Sequence, residues 1–242
     1  MTEWPVRFGI VAALVAALAA CAGKPAGPLP GEAPVAVGHA DVDDRARLAR
    51  GASVFSVDTG RSLAIVEVRR AGVLARFGHD HVVSSRDISG FVAPDEGRAD
   101  LSVPLGSLVV DDPALRAEAG FETTPSAEDV AGTRRNMLDR VLEADRYPVV
   151  LVAVRGLGVG GDARPLRAEI TLHGTTAPVD VDAEVDRSAD EIAVHGSFPL
   201  DQSRFGIVPF SILGGALAVQ DRLAIRFRIH ARRMPVGDTR SR

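Results

Sequence analysis

The side chains best suited to chemistry form the triplet His79-Asp80-His81. Side chains two positions apart lie on the same face of a strand, so the two imidazoles are expected to approach closely enough to share a metal ion. A zinc or copper site would need a third ligand, for which Asp80, His173 and His195 are the candidates. Two interpretations of the triplet are open. The favoured one is a turn that these polar side chains close by hydrogen bonds. The alternative is a metal site at His79 and His81.

The rest of the sequence carries none of the common enzyme motifs. A nucleophile elbow, a phosphate-cradling glycine loop and a zinc-protease helix are all missing from it. Carboxylates at positions 180, 182, 184 and 186 share one predicted strand face, which is typical of a solvated surface. The net charge of −4, without a strong basic cluster, disfavours nucleic acid as a partner. We therefore predict that the protein is not an enzyme.

The N-terminus has the pattern of an export signal. Arg7 precedes an apolar run over residues 8–17, and the run ends in the small-residue sequence 18–21, Leu-Ala-Ala-Cys. A short apolar segment closed in this way is typical of a secretory signal. The last four residues resemble a bacterial lipobox, in which the cysteine is diacylated and begins the mature protein. Since Cys21 is the only cysteine of the chain, we predict a lipoprotein signal peptide at 1–20 and lipidation of Cys21.

Composition divides the remaining chain into three parts. Residues 21–50 are rich in Gly, Pro and Ala and then in charges, which predicts a lipidated flexible tether. Residues 51–234 contain the periodic segments and form the predicted β-barrel domain, and 235–242 are predicted to be a disordered tail. The expected location is the periplasmic face of the bacterial envelope. Ala22 follows the cysteine in place of the aspartate that marks inner-membrane retention in some bacteria, so the outer membrane is favoured.

One amphipathic helix is predicted between Ser126 and Pro148. Ser126 is a favourable N-cap, and Asp129 lies three residues later, as in a capping box. Apolar residues at helical spacing follow on one face, namely Val130, Met137, Leu138 and Val141. Pro148 is expected to end the helix. The β-branched run at 149–154 then predicts a strand.

Nearly every other periodic segment alternates with period two, as strands with one apolar and one polar face do. One strand is expected before and one after a turn at 58–60, and likewise one before and one after a turn at 94–97. The clearest apolar faces are those of Leu166, Ala168, Ile170 and Leu172, of Val179, Val181 and Ala183, and of Leu223, Ile225, Phe227 and Ile229. About nine such strands in one domain must close or form a sandwich. Their charged outer faces favour an antiparallel barrel with an apolar interior.

The order of several short segments points to a known family. The chain contains FSVD at 55–58, GF at 90–91, LGSL at 105–108, DRYP at 145–148, ITLHGTTAPV at 170–179 and SRFGI at 203–207. In type and order these segments resemble the YceI-like family, exported bacterial proteins with a lipocalin-like β-barrel that hold a long polyisoprenoid chain. The resemblance covers residues 51 to 233. It implies an all-β, antiparallel lipocalin-like β-barrel with one amphipathic helix, and it carries over no catalytic residue.

The resemblance and the small apolar strand faces together predict a carrier of a long-chain polyisoprenoid or similar lipid, held in the barrel interior. The helix and the apolar, glycine-rich segment 211–217 are candidate gates. No cofactor is required, and the expected partners are the lipid ligand and the membrane, reached through acylated Cys21. The candidate ligand-binding residues are Phe77, Leu101, Val103, Met137, Leu138, Val152, Ile170, Val181, Phe198, Phe205 and Phe227.

Two other functions are compatible with the sequence. One is a metal- or haem-associated redox accessory protein that uses His79 and His81. The other is a structural envelope lipoprotein that holds no ligand and binds a partner through its acidic strand face. The first predicts metal in the purified protein, whereas the second predicts neither metal nor lipid.

Overall fold

In the computed structural model, the described residues are 52–157 and 166–235. Most of them lie in β-strands, because period-two alternation lets each strand bury one face and solvate the other. The strands are β1 (Phe55–Val57), β2 (Leu63–Val68), β3 (Arg70–Ala71), β4 (His81–Ser85), β5 (Ser89–Ala93), β6 (Arg98–Pro104), β7 (Val109–Val110), β8 (Val149–Arg155), β9 (Leu166–Leu172), β10 (Thr175–Arg187), β11 (Glu191–Asp201), β12 (Ser211–Ile212), β13 (Leu217–Val219) and β14 (Arg222–Arg233).

Eight of these strands close into an antiparallel barrel. Their order is β1-β5-β6-β8-β9-β10-β11-β14, and β14 returns to pair with β1. The register at the closure places Ser56 opposite Arg232. The prediction of an all-β, antiparallel lipocalin-like barrel with one amphipathic helix is confirmed.

Strand β14 is long enough to pair with two strands along one edge. Its residues 231–233 pair with β1, whereas 224–228 pair with β2. The predicted turn at 58–60 therefore connects β1 and β2, which lie one after the other along the same edge of β14 and do not pair with each other. Strand β2 in turn pairs with β4, and β4 with β7. The sheet thus branches into a flap, β2-β4-β7, beside one end of the barrel.

Two helices follow the flap. The first, α1 (Pro113–Glu118), begins at Asp112, whose side chain accepts hydrogen bonds from the next turn. The second, α2 (Ala127–Arg135), continues as a π-helical turn over Asn136–Val141. Its predicted capping box is confirmed, since the Ser126 hydroxyl accepts from the Asp129 backbone N–H at 3.1 Å and the Asp129 carboxylate accepts from the Ser126 N–H at 3.2 Å.

The prediction that Pro148 ends the second helix is wrong. The helical turn stops at Val141, and Glu143 adopts a positive φ of 45° that turns the chain away from the helix axis. Pro148 lies just before β8, and its carbonyl accepts a hydrogen bond from the N–H of Leu105 at 2.8 Å. The proline therefore belongs to the start of the next strand.

Helix α2 lies against the flap and is held there by polar contacts. The guanidinium of Arg134 donates to the carbonyls of Gly106, at 2.8 Å, and Leu108, at 3.3 Å. Within the described ranges, no helix is long and apolar enough to cross a membrane. The predicted signal peptide, Cys21 and the tether precede the described residues, and the predicted tail lies beyond them from residue 236.

Candidate functional site

The barrel interior and the space beside the flap and α2 form one cavity of about 2150 Å³ that is open to solvent. Ligand pockets usually measure about 300–1,000 Å³, so this one is large for a chain of this size. Its walls are the inner faces of the strands, and many of the side chains there are small. Examples are Val103, Val152, Ala168, Ala183 and Val194. Few aromatic rings fill the space between facing strands, so the barrel interior can take up an elongated apolar molecule.

The cavity reaches both ends of the barrel. At one end it is bounded by Phe77 and His79 before β4, by Met137 of the π-helical turn and by Phe210 before β12. We call this end the mouth. At the other end the lining includes Asp95 and Arg187, whose side chains form an ion pair at 3.0 Å.

Nine of the eleven predicted ligand-binding residues line this cavity. They are Phe77, Leu101, Val103, Met137, Val152, Ile170, Val181, Phe198 and Phe227. Phe205 is fully buried in the apolar cluster around Ile207, outside the cavity lining. Leu138 is also buried away from the cavity. A π-helical turn is wider than an α-helical one, and here it places positions 137, 141 and 142 on the cavity side.

Apolar side chains stand exposed around the mouth. The exposed fractions are 87% for Val73, 65% for Phe77, 81% for Val208 and 71% for Leu213. The two segments that carry them are joined by the pairing of β3 with β13 and by a hydrogen bond from the N–H of Leu74 to the carbonyl of residue 216. The predicted gate segment 211–217 is a short hairpin of β12 and β13 within this group.

The histidine triplet lies at the mouth, but only His81 belongs to a strand. The imidazoles of His79 and His81 both line the cavity, and their ring centroids are 6.4 Å apart. Asp80 is turned away from them, because its carboxylate accepts a hydrogen bond from the backbone N–H of Arg70 at 2.9 Å. Of the three side chains, only that of Asp80 therefore makes the kind of hydrogen bond that the turn interpretation predicts.

The other two predicted metal ligands lie elsewhere. His173 packs against Tyr147, with ring centroids 4.8 Å apart, and His195 contacts Glu184 at 3.1 Å. Across residues 52–157 and 166–235, no group of three His, Cys, Asp or Glu side chains is placed to hold a metal ion. Metal binding at His79 and His81 stays a prediction.

A buried carboxylate that the sequence did not reveal orients one of the histidines. Oδ2 of Asp111 lies 2.6 Å from Nδ1 of His81, and Oδ1 accepts from the N–H of Val82 and from the guanidinium of Arg116. Burial opposes ionisation of Asp111, but the hydrogen bonds from these three groups outweigh it and lower the pKa of the carboxyl below its usual value. The ring of His81 is therefore held in place by the Asp111 carboxylate, which is itself paired with Arg116.

Arg116 extends this network to the loop that enters α2. Its guanidinium donates to the carbonyl of Asp80 at 2.6 Å and to the carbonyl of Thr123 at 2.5 Å. Arg116 is only 5% exposed. Sequence periodicity does not mark either residue as part of the His81 network, because Asp111 follows β7 and Arg116 lies within α1. Asp111 also has a positive φ of 58°, which only the structure reveals.

One polar atom at the mouth has no partner. Among the described residues, three buried side-chain nitrogens lack a hydrogen bond: Nδ1 of His79, Nε2 of His173 and Nε of Arg226. His79 is the one of the three residues that lines the cavity. Buried polar atoms are normally paired, so Nδ1 of His79 marks a place where a further polar group would be stabilised.

Comparisons with known proteins agree with this architecture. Residues 55–231 match the family described as "YceI-like domain". No curated protein matches the chain. A solved polyisoprenoid binding domain from Saccharophagus degradans, implicated in plant cell wall breakdown, is 18% identical; the match covers 74% of this chain and 98% of that one, with a TM-score of 0.52. BcnA from Burkholderia cenocepacia is 14% identical, with 72% and 98% covered and a TM-score of 0.52. These two likenesses show a shared fold.

Proposed function

The chain belongs to the YceI-like domain family, and from this membership we propose that it is a non-enzymatic carrier of a long-chain polyisoprenoid or similar lipid. The lipid lies in the barrel interior. The observation that carries the proposal is the cavity of about 2150 Å³ with its apolar walls. A solved relative in fold is a polyisoprenoid binding domain, which supports the same ligand class here.

Hydrophobic burial supplies the affinity in this proposal. Each buried CH₂ group contributes about 0.8 kcal/mol, so a long hydrocarbon needs few polar contacts to be held. Side chains such as Val152, Ile170 and Phe227 present apolar surface along the length of the cavity. Part of this gain is offset by the lost freedom of the bound chain.

Entry and exit of the lipid take place at the mouth. Helix α2 and the hairpin of β12 and β13 border it, and both have few contacts with the barrel strands. A cation–π contact between Arg140 and Phe210, at 5.4 Å, joins the two elements. We assign the gate to these elements because separating them would widen the mouth without breaking any pair of barrel strands.

The protein is exported and anchored in the envelope by acylated Cys21, with the barrel facing the periplasm and the outer membrane favoured. This part of the proposal is supported by the N-terminal sequence alone, with its apolar run and Leu-Ala-Ala-Cys ending. An anchored carrier would remain next to the bilayer from which an isoprenoid lipid is taken.

A metal-associated redox function at His79 and His81 is the second candidate. The observation in its favour is the Asp111 carboxylate at 2.6 Å from Nδ1 of His81. Carboxylates commonly orient metal-bound histidines in this manner. Two ligands make a weaker site than three, so the carrier function is preferred.

A pair of adjacent variants tests the carrier function. Val152 lines the cavity, whereas its neighbour Ala153 lies on the opposite face of β8. We expect Val152→Trp to lower the amount of polyprenol bound per protein about tenfold, because the indole projects across the barrel interior and blocks the path of an elongated chain. Ala153→Trp should bind as the wild type does. Equal loading of both variants, with both folded, would exclude the barrel interior as the binding place.

A further inference from the structure

We propose that the mouth recognises a hydroxyl head group on the bound lipid through the imidazoles of His79 and His81. The inference rests on the proposed function, since it concerns the polar end of the same ligand. It narrows the ligand class from hydrocarbon-like lipids in general to isoprenoid alcohols and quinols. Its site is the mouth of the cavity, where an apolar wall is interrupted by two adjacent polar rings.

His79 provides the first contact. Its Nδ1 is buried and makes no hydrogen bond to any described residue, although the side chain lines the cavity. Leaving such an atom unpaired is unfavourable by more than an ordinary hydrogen bond is worth. Rotation of the ring about its Cβ–Cγ bond would bring Nδ1 to the cavity, where the polar end of a ligand would remove this penalty and an apolar end would not.

His81 provides the second contact. Its Nδ1 lies 2.6 Å from the Asp111 carboxylate, which is also paired with Arg116, so the ring is held in place. The other nitrogen, Nε2, makes no hydrogen bond within the described residues. It is therefore free to pair with the head group of a ligand.

A hydroxyl group satisfies both rings. A hydroxyl can both donate and accept a hydrogen bond, so one oxygen can pair with Nε2 of His81 and with Nδ1 of His79, which has no partner among the described residues. The ring centroids lie 6.4 Å apart, which leaves space between the rings for a small oxygen-bearing group.

Charges of both signs lie at the mouth. Glu128 and Asp129 at the start of α2 line the space and would repel an anion. Of the two arginines that also line it, Arg70 is engaged by the Asp80 carboxylate at 3.7 Å and by the Gly78 carbonyl at 2.5 Å, whereas Arg135 lies on α2 with the two acids. The acids and Arg135 oppose each other, so a phosphate head is included among the probes below.

Three probes with one hydrocarbon skeleton test the inference on the full chain. They are phytanol, which carries a hydroxyl; phytane, which lacks it; and phytanyl phosphate. We expect wild-type protein to bind phytanol about tenfold more tightly than phytane, the effect of one or two buried hydrogen bonds. In His79→Phe, which keeps only the contact with His81, the preference should fall to about threefold, with phytane affinity unchanged. His79→Asn keeps a polar atom near the position of Nδ1 and should retain the preference.

His195→Phe is the matched control, because His195 contacts Glu184 on the barrel surface. It should leave the ratio of the two affinities unchanged. Equal affinity of the wild type for phytanol and phytane would overturn the head-group inference while leaving the carrier function intact. Binding of neither would defeat the carrier function itself. Tighter binding of phytanyl phosphate than of phytanol, or a stoichiometric metal lost in His79→Asn, would also overturn the inference.

Discussion

The carboxylate of Asp111 and the imidazole of His81, thirty positions apart in the chain, meet at 2.6 Å beside the mouth of the cavity. The side chain of Asp111 is 1% exposed and that of His81 is 15% exposed. Through Arg116 the same carboxylate is tied to the loop that leads into α2. Fold stability and the geometry of the mouth therefore depend on one buried group.

Replacing this carboxylate should destabilise the protein strongly. In Asp111→Asn the guanidinium of Arg116 loses its anionic partner while staying buried, a situation that typically lowers the free energy of unfolding by about 3–5 kcal/mol. Asp201→Asn is the matched control, since the Asp201–Arg222 pair has similar contact distance, 2.7 Å, but an arginine that is 68% exposed. It should lower the free energy of unfolding by about 1 kcal/mol or less. Urea unfolding monitored by circular dichroism measures both, and similar losses would contradict the assignment.

The same carboxylate predicts a pH dependence. Hydrogen bonds lower the pKa of folded Asp111 from the usual 3.8 against the effect of burial, so the ionised form stabilises the fold. This contribution is fully present above the unfolded-state pKa and is lost as the pH falls through the lower folded-state value. The difference in unfolding free energy between wild type and Asp111→Asn should be constant near neutral pH and shrink below pH 3.8. A difference that grows on acidification would refute this origin.

The capping box of α2 should contribute separately. Ser126→Ala removes the hydroxyl that accepts from the Asp129 N–H, and losses of about 1 kcal/mol are usual for such caps. Ser126→Thr keeps the acceptor and should remain close to the wild type. Hydrogen exchange should accelerate over residues 127–141 in the alanine variant. If exchange there is unchanged, the cap does not hold the helix at the mouth.

Two segments of the family resemblance meet at Gly174 and Tyr147. A Cβ on Gly174 would lie 2.5 Å from the Tyr147 ring, and the glycine has φ of +74°. Gly120 has φ of +70° but no atom within 4 Å of such a Cβ. Gly120→Ala should thus cost about 1–2 kcal/mol for the backbone alone, and Gly174→Ala clearly more. Thermal unfolding compares the two; equal costs would mean that the ring moves aside freely.

The proposed anchor is tested by Cys21→Ser. Acylation requires the cysteine sulfur, so the variant should move from the membrane fraction to the soluble fraction after cell lysis. A single myristoyl-like chain gives only reversible binding, whereas two or more chains anchor stably. Wild-type protein should therefore stay with membranes through a salt wash. Unchanged fractionation of Cys21→Ser would rule out acylation as the anchor.

Sequence patterns predicted the fold well because alternation along a strand is a local property. Residues such as Leu166, Ala168 and Ile170 can only bury one face if the strand closes against others, and the structure has them inside the barrel. The capping box at Ser126 is equally local. The end of α2 was not predictable in this way, because it depends on the turn at Glu143 and not on the helix-breaking Pro148.

The site was predicted less completely, since it joins distant parts of the chain. Phe205 was expected in the cavity from its apolar character, but the turn at 202–205 directs it into the packed cluster instead. His79 and His81 were found from their spacing alone. Asp111 was missed, because only the pairing of β4 with β7 brings residue 111 beside His81.

Native mass spectrometry of the full chain purified from membranes, followed by solvent extraction and metal analysis, tests the carrier function most directly. We predict a bound species of long-hydrocarbon mass at about one per protein, released by solvent and absent from Val152→Trp. A mass that corresponds to the polypeptide without lipid but with stoichiometric metal would contradict this prediction and favour a metal site at His79 and His81. Bare polypeptide with neither metal nor lipid would favour a structural envelope protein.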